Sequence, residues 1–130
     1  MDKKNLLKFV TCLIFVIFLM NLFANKFYWY YSVPYLDMLM HFFGGAWIAL
    51  FFVWLLGGIL GESLKFQIMK ILPLVLLVGL GWEVFEMLVN DVIAQNPFDF
   101  KDTSSDIFAD LLGGFCAMLY LHLWRKKQPR

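Results

Sequence analysis

Three segments of this chain carry acidic residues at helical spacing. They contain one imidazole and six carboxylates, namely Asp37 and His41, Glu83 and Glu86, and Asp102, Asp106 and Asp110. Residues three or four positions apart lie on the same face of a helix. If the three segments are neighbouring helices, these side chains therefore point toward a common space.

A space lined by oxygen ligands and one imidazole is typical of a divalent metal site. Mg²⁺, Mn²⁺ and Ca²⁺ prefer oxygen, and zinc or iron also binds such a mixed set. Helical bundles build two-metal sites from carboxylates on several helices, and such metal pairs catalyse displacement at phosphorus. We therefore predict that all seven residues are metal ligands. A carboxylate that does not bind metal would act as a general base, and Glu83 and Glu86 are the candidates.

Some of these acids also have a purely structural interpretation. Asp37 lies close to a predicted helix start, where an anion stabilises the helix dipole. Asp106 ends a plausible capping box that begins at Thr103, while Asp91 and Asp99 are interpreted as free loop charges. Glu83, Glu86 and Asp110 resist such interpretations, because a charge deep in a membrane costs at least roughly 2.5–3.5 kcal/mol.

The composition indicates that these helices cross a membrane. The chain is 62% hydrophobic and 16% charged, whereas soluble domains are about 45–50% apolar. A span needs roughly 20 apolar residues, and four stretches qualify: Leu6–Ala24, Leu36–Leu60, Ile71–Val89 and Ser104–Trp124. We predict an all-α, four-helix transmembrane bundle that forms a single domain over residues 1–130. The first span is interpreted as a retained helix rather than a signal peptide.

The basic residues predict the orientation of the bundle. Nine of the eleven Lys and Arg residues lie before the first span, between the second and third, or after the fourth. The positive-inside rule then places both termini in the cytoplasm and the acidic cluster in the outer half of a cell membrane. The aromatic run from Phe27 to Tyr31, with Tyr35, is interpreted as an anchor at the outer interface.

Glycines on the helices that carry the acids predict close packing. The pairs Gly44-Gly45 and Gly113-Gly114 follow His41 and Asp110 at the same spacing, and small residues let membrane helices approach closely. The match between residues 37–45 and 106–114, at an offset of 69 residues, is compatible with two parallel-repeat helical hairpins.

The polar positions together resemble a known family pattern. The motifs Asp37-Met-Leu-Met-His41-Phe42, Trp82-Glu83-x-x-Glu86 and Asp102-Thr103-x-x-Asp106-x3-Asp110-x2-Gly113 resemble those of VanZ-like membrane proteins. In the last two motifs they are more similar to YjdF-type membrane proteins. The resemblance covers about Asp37–Gly114. It implies a small membrane protein of four or five helices with a role at the cell envelope, and no particular reaction.

Three functions are compatible with the sequence. The first is a metal-dependent enzyme that acts on a lipid phosphate or a lipid-linked envelope intermediate. The second is a cation- or proton-binding transport protein, although the inner half of the spans has few polar residues beyond Thr11 and His122. The third is a structural assembly factor. Membrane lipid is the expected partner, a homo-oligomer is left open, and a net charge of +1 argues against nucleic acid.

Overall fold

The protein is a bundle of long helices. Its computed structural model describes residues 2–57, 62–89 and 99–126, and these ranges contain no β-strand. In chain order the helices are α1 (Lys3–Lys26), the short α2 (Trp29–Ser32), α3 (Leu36–Leu56), α4 (Leu64–Val89) and α5 (Phe100–Lys126). All except α2 are long and apolar enough to cross a membrane. The predicted all-α architecture with four spans is therefore confirmed.

The start of α5 differs from the predicted one. The helix begins at Phe100, four residues earlier than expected, because the Asp99 carboxylate accepts hydrogen bonds from the backbone N–H of Lys101 at 2.9 Å and of Asp102 at 3.4 Å. Asp99 is thus a helix cap rather than a free loop charge. The alternative interpretation of Asp106 as a cap residue is wrong, since Asp106 lies inside the helix.

The start of α4 is also earlier than predicted. The helix begins at Leu64 rather than Ile71. Ser63 precedes it, and its hydroxyl accepts a hydrogen bond from the backbone N–H of Phe66 at 3.4 Å, as an N-cap residue does. The predicted end of the second span, at Leu60, lies outside the described residues.

The closest helix pair in the bundle is α3 and α5. Since α4 lies between them in the chain and returns across the membrane, α3 and α5 run in the same direction. A Cβ added at Gly45 would overlap the carbonyl group of Asp110, and a Cβ added at Gly113 would overlap the carbonyl oxygen of Phe42. The two contacts are reciprocal, and each needs a residue without a side chain. The predicted role of the glycines in close packing is therefore confirmed, whereas the two-hairpin repeat stays a prediction.

One end of the bundle, toward the chain termini, has an aliphatic core. Its buried residues are Leu6, Val10, Ala49, Leu50, Val53, Ile71, Val75, Ala117, Met118 and Leu121. The Trp47 indole N–H donates a hydrogen bond of 3.0 Å to the Val10 carbonyl oxygen and ties α1 to α3. Gln67 is the one buried polar side chain toward this end among the described residues, and it donates to the carbonyl oxygen of Glu62. Within the described ranges, this half of the interior therefore offers no continuous polar path.

Two residues in the connection between α1 and α3 have a left-handed backbone conformation. Tyr28 and Tyr35 have φ angles of 57° and 63°, which are uncommon for residues other than glycine. They flank α2, whose Tyr30 hydroxyl donates a hydrogen bond of 2.7 Å to Asn21 Oδ1. Tyr31 is 91% exposed, as an interfacial anchor would be, whereas Tyr30 is half-buried.

We expect both termini to lie on the cytoplasmic side, because the basic residues flank the spans on that side. The test replaces the free Cys12 and Cys116 with alanine and introduces single cysteines at Tyr31 or Gln128. A membrane-impermeant maleimide applied to intact cells should label Tyr31→Cys, and it should label Gln128→Cys only after permeabilisation. Labelling of both positions from the same side would contradict this topology.

Candidate metal centre

Four buried ionisable side chains meet at the other end of the bundle, inside the apolar helices. They are His41 on α3, Glu83 on α4, and Asp106 and Asp110 on α5, and none exposes more than 8% of its surface. Ionisable residues within membrane spans are costly and usually mark a substrate or ion site. Their concentration on three packed helices indicates a functional site.

His41 lies at the centre of this group. Its Nε2 atom is 3.8 Å from Glu83 Oε1 and 4.0 Å from Asp37 Oδ1. Its Nδ1 atom is 3.4 Å from Asp110 Oδ2, on the opposite side of the ring. With the proton on Nδ1, the imidazole donates to Asp110 and presents the Nε2 lone pair to Glu83 and Asp37. Metal-binding histidines are commonly held by a carboxylate in this way.

Two sets of three side chains around His41 could each hold a metal ion. One set is Asp37, His41 and Asp106, and the other is His41, Glu83 and Glu86. Within each set, one ligand atom from every residue lies within 4.8 Å of the others. Each set contains His41 of α3, so an ion in the first set would join α3 to α5 and an ion in the second would join α3 to α4.

Two buried carboxylate oxygens in the cluster have no hydrogen-bond partner. They are Oε1 of Glu83 and Oδ1 of Asp106, and nearly all buried polar atoms in proteins have such a partner. Among the described residues, every ion pair that a carboxylate makes is with His41, and none involves Lys or Arg. A cation would supply both the missing partner and the missing charge.

Glycines make room for Asp110 between α3 and α4. A Cβ added at Gly79 of α4 would lie 2.6 Å from Asp110 Oδ2, and one added at Gly44 of α3 would lie 3.9 Å from Oδ1. From the sequence, small residues on these helices are expected to allow close packing. Their second role, as space for a buried carboxylate, depends on how the three helices are aligned.

Tyr30 is a neighbour of the cluster that the sequence analysis missed. Burial, together with the negative charges of Asp37 and Glu86, raises the pKa of the Tyr30 hydroxyl above its usual value. Its position in the aromatic run from Phe27 to Tyr31 predicts an interfacial anchor, and no spacing rule separates it from Tyr31. Its inward position follows from the left-handed turns that flank α2.

The predicted ligands occupy different positions in the structure. The two metal-competent sets contain Asp37, His41, Glu83, Glu86 and Asp106. Asp110 is buried against the second nitrogen of His41, which suits a residue that orients a ligand. Asp102 is exposed at the rim and belongs to neither set. Asp91 lies outside the described residues.

Comparison with known proteins gives one match. A family model described as "Predicted membrane protein (DUF2238)" matches residues 2–127, nearly the whole chain. No curated protein matches the chain, and no solved structure matches it. The match supports a membrane protein family; the more specific likeness to VanZ-like or YjdF-type proteins stays a prediction.

Proposed function

The chain belongs to this family of predicted membrane proteins, and we propose that it is a metal-dependent enzyme that acts on the phosphate of a lipid or lipid-linked intermediate. The observation that carries the proposal is the pair of unpartnered oxygens on Glu83 and Asp106, buried beside His41. In a low-dielectric site such oxygens are costly unless a cation or a proton binds them. An ion in the set that contains Glu83, or in the set that contains Asp106, would give that residue's carboxylate a charged partner.

We assign the ligands from the geometry around His41. One ion would bind either Asp37, His41 and Asp106 or His41, Glu83 and Glu86, the two sets whose ligand atoms lie close together. Asp110 is a positioning residue that fixes the orientation of the imidazole. Carboxylates with one imidazole favour Mg²⁺, Mn²⁺ or Ca²⁺ and also accept Zn²⁺ or iron.

A phosphate ester is the substrate class that fits a metal centre at this depth. A bound divalent ion would polarise the phosphoryl oxygens and lower the pKa of a bound water. Hydrolysis adds the water oxygen to phosphorus and breaks the P–O bond to the lipid alcohol. With the ion in the set of Asp37, His41 and Asp106, Glu86 does not bind metal. This half-buried carboxylate would then take a proton from the water and return it to the departing alcohol oxygen.

The membrane location of the site supports a lipid substrate over a soluble one. The distribution of the basic residues favours an orientation in which both termini are cytoplasmic and the cluster lies in the outer half of the cell membrane. The headgroups of the outer leaflet border the hydrocarbon core at that end of the bundle. The role at the cell envelope that the VanZ-like resemblance implies belongs to the same proposal.

The interior of the bundle disfavours transport as the function. A transported cation or proton needs polar groups across the whole membrane, yet the described core beyond the cluster is aliphatic. Gln67, the buried polar exception, donates to the carbonyl oxygen of Glu62. A purely structural role for the ion would use the same ligands, and an activity assay separates it from catalysis.

We expect divalent metal to raise the melting temperature of the purified protein. A ligand that binds only the folded state stabilises it by about 2.7 kcal/mol at a hundred times its dissociation constant. The stabilisation should shrink as the pH falls from about 7 to about 5, because protons compete with metal for the same carboxylates and imidazole. The measurements are metal content per chain and melting with Mg²⁺, Mn²⁺, Ca²⁺ and Zn²⁺, each with and without a chelator.

Release of inorganic phosphate or of lipid alcohol from a lipid phosphate, dependent on the bound metal, would support the enzymatic role. A clear melting shift without metal-dependent turnover would favour the structural role of the ion. Absence of any shift across the four metals would contradict the metal centre itself and leave proton sharing among the carboxylates as its explanation.

A further inference from the structure

A cavity of about 730 Å³ adjoins the acidic cluster and extends along the bundle between α1, α3 and α4. We call it the chamber. At one end it is lined by Asn21 and Tyr30 and by the Asp37, His41 and Asp110 of the cluster. Further along, its walls are apolar and include Ile14, Ile48 and Val78.

The arrangement of the helices explains why this space exists. α3 packs against α1, α4 and α5, whereas α1 and α4 have no extensive contact with each other in the described residues. The chamber therefore has α3 as its floor and α1 and α4 as its two walls. Side chains on both walls are partly exposed, with Ile14 at 38% and Val78 at 40%, so the chamber is accessible from the side that faces lipid.

The size and lining of the chamber fit a hydrocarbon chain. Ligand pockets are typically about 300–1,000 Å³ and mainly apolar, with a few polar groups that fix orientation. Ile48 lies seven positions after His41 on α3, which is a rise of roughly 10 Å. The charged groups of the lining lie at the end of the chamber where His41 lies, and Thr11 is a single hydroxyl further along α1. This distribution is expected for an occupant with a polar head and an apolar tail.

We propose that the chamber holds one hydrocarbon chain of the lipid whose phosphate is bound at the cluster. The inference rests on the proposed function and names its substrate class: a phosphate ester with at least one acyl or prenyl chain. Two observations support this occupant. The chamber shares Asp37 and His41 with the candidate ligands and also reaches Asp110, and its apolar walls begin directly beside these residues.

The chamber contributes to positioning more than to affinity. A lipid tail that enters it leaves one hydrocarbon environment for another, so the hydrophobic effect provides little driving force. Its walls instead hold the tail in one place, and the phosphate is thereby held against the metal ligands. Blocking the chamber should therefore remove ordered binding of the tail while the metal ligands stay intact.

Substitution to tryptophan on the two sides of α4 gives a matched pair. Val78 lines the chamber, whereas its neighbour Leu77 is 67% exposed and does not. Val78→Trp should fill the apolar part of the chamber, and Leu77→Trp should add the same bulk on the lipid side. On α1, Ile14→Trp and Val16→Trp form a second pair of the same kind, because only Ile14 lines the chamber.

The experiment uses full-length protein in phosphatidylcholine vesicles with one of two photoactivatable probes. One is phosphatidic acid with a diazirine at the end of an acyl chain, and the other is a prenyl phosphate with a terminal diazirine. We expect cross-links to chamber residues such as Ile14, Ile48 or Val78. Val78→Trp and Ile14→Trp should lose these cross-links, whereas Leu77→Trp and Val16→Trp should keep them. The probe that gives them identifies the chain type.

Metal-dependent melting of the same variants separates this inference from the metal centre. Val78→Trp should keep the wild-type melting shift with metal while it loses the chamber cross-links. A metal shift in the wild type together with cross-links only at lipid-facing residues, or with equal cross-linking in Val78→Trp and Leu77→Trp, would overturn the chamber and leave the metal centre standing. Chamber cross-links without any metal shift would support the chamber and overturn the metal centre.

Discussion

Gly113→Val should prevent the bundle from forming its native helix contact. A Cβ at this position would overlap the Phe42 carbonyl oxygen, and backbone atoms cannot move aside as a flexible side chain can. Overpacking of cores costs roughly 1–3 kcal/mol and occasionally more, and we expect a value above that range because α3 and α5 must separate. The measurements are melting temperature and monodispersity in detergent, and both should fall sharply.

Gly81→Ala is the matched control for this substitution. Gly81 lies on α4 in the same bundle, and a Cβ there would meet no atom within 4 Å. Alanine is favoured over glycine within helices by about 1 kcal/mol, so this variant should melt at or slightly above the wild-type temperature. Similar melting of Gly113→Val and Gly81→Ala would contradict the backbone contact between α3 and α5.

Of Glu83→Gln and Asp106→Asn, the variant whose set holds the ion should lose metal-dependent stabilisation. Both substitutions remove the charge from a carboxylate that has one buried oxygen without a hydrogen-bond partner. In metal-free protein the same variants should melt no lower than the wild type, because an amide is cheaper to bury than a charge and crowded carboxylates repel one another. Melting with a titration of the preferred metal measures both effects.

Asp110→Asn should behave differently from the ligand variants. Asp110 contacts Nδ1 of His41 rather than the face that presents Nε2, and loss of such a partner typically lowers metal affinity by about 10–100-fold. High metal concentration should therefore restore its melting shift. Asp99→Asn is the control, since asparagine caps a helix as well as aspartate does. If Asp110→Asn and Glu83→Gln respond identically to metal, Asp110 is a ligand, as the sequence alone predicted.

The four spans could be predicted because their signal is length and hydrophobicity, and both can be judged within a window of about 20 residues. The helix starts could not be placed as well. The starts of α4 and α5 depend on hydrogen bonds that the Ser63 and Asp99 side chains accept from the first turn of each helix. Hydrophobicity also falls off gradually around Leu64, where no sharp boundary separates helix from connection.

The candidate site residues that share a helix face could be predicted from their spacing. Spacing of three or four residues brought Asp37 together with His41, and Glu83 with Glu86. It could not distinguish a ligand from its support: Asp110 contacts Nδ1 because Gly45 lies against the Asp110 backbone. That alignment is a property of two helices in contact, and neither sequence segment contains it alone.

The parallel packing of α3 and α5 also sets the order in which the site can assemble during synthesis. His41 and Glu83 enter the membrane with α3 and α4, whereas Asp106 and Asp110 arrive only with the last helix. The contacts that align the cluster join residues such as Phe42 and Gly113, which are far apart in the chain. Long-range contacts of this kind form late. A nascent chain therefore cannot complete the cluster until α5 has been inserted.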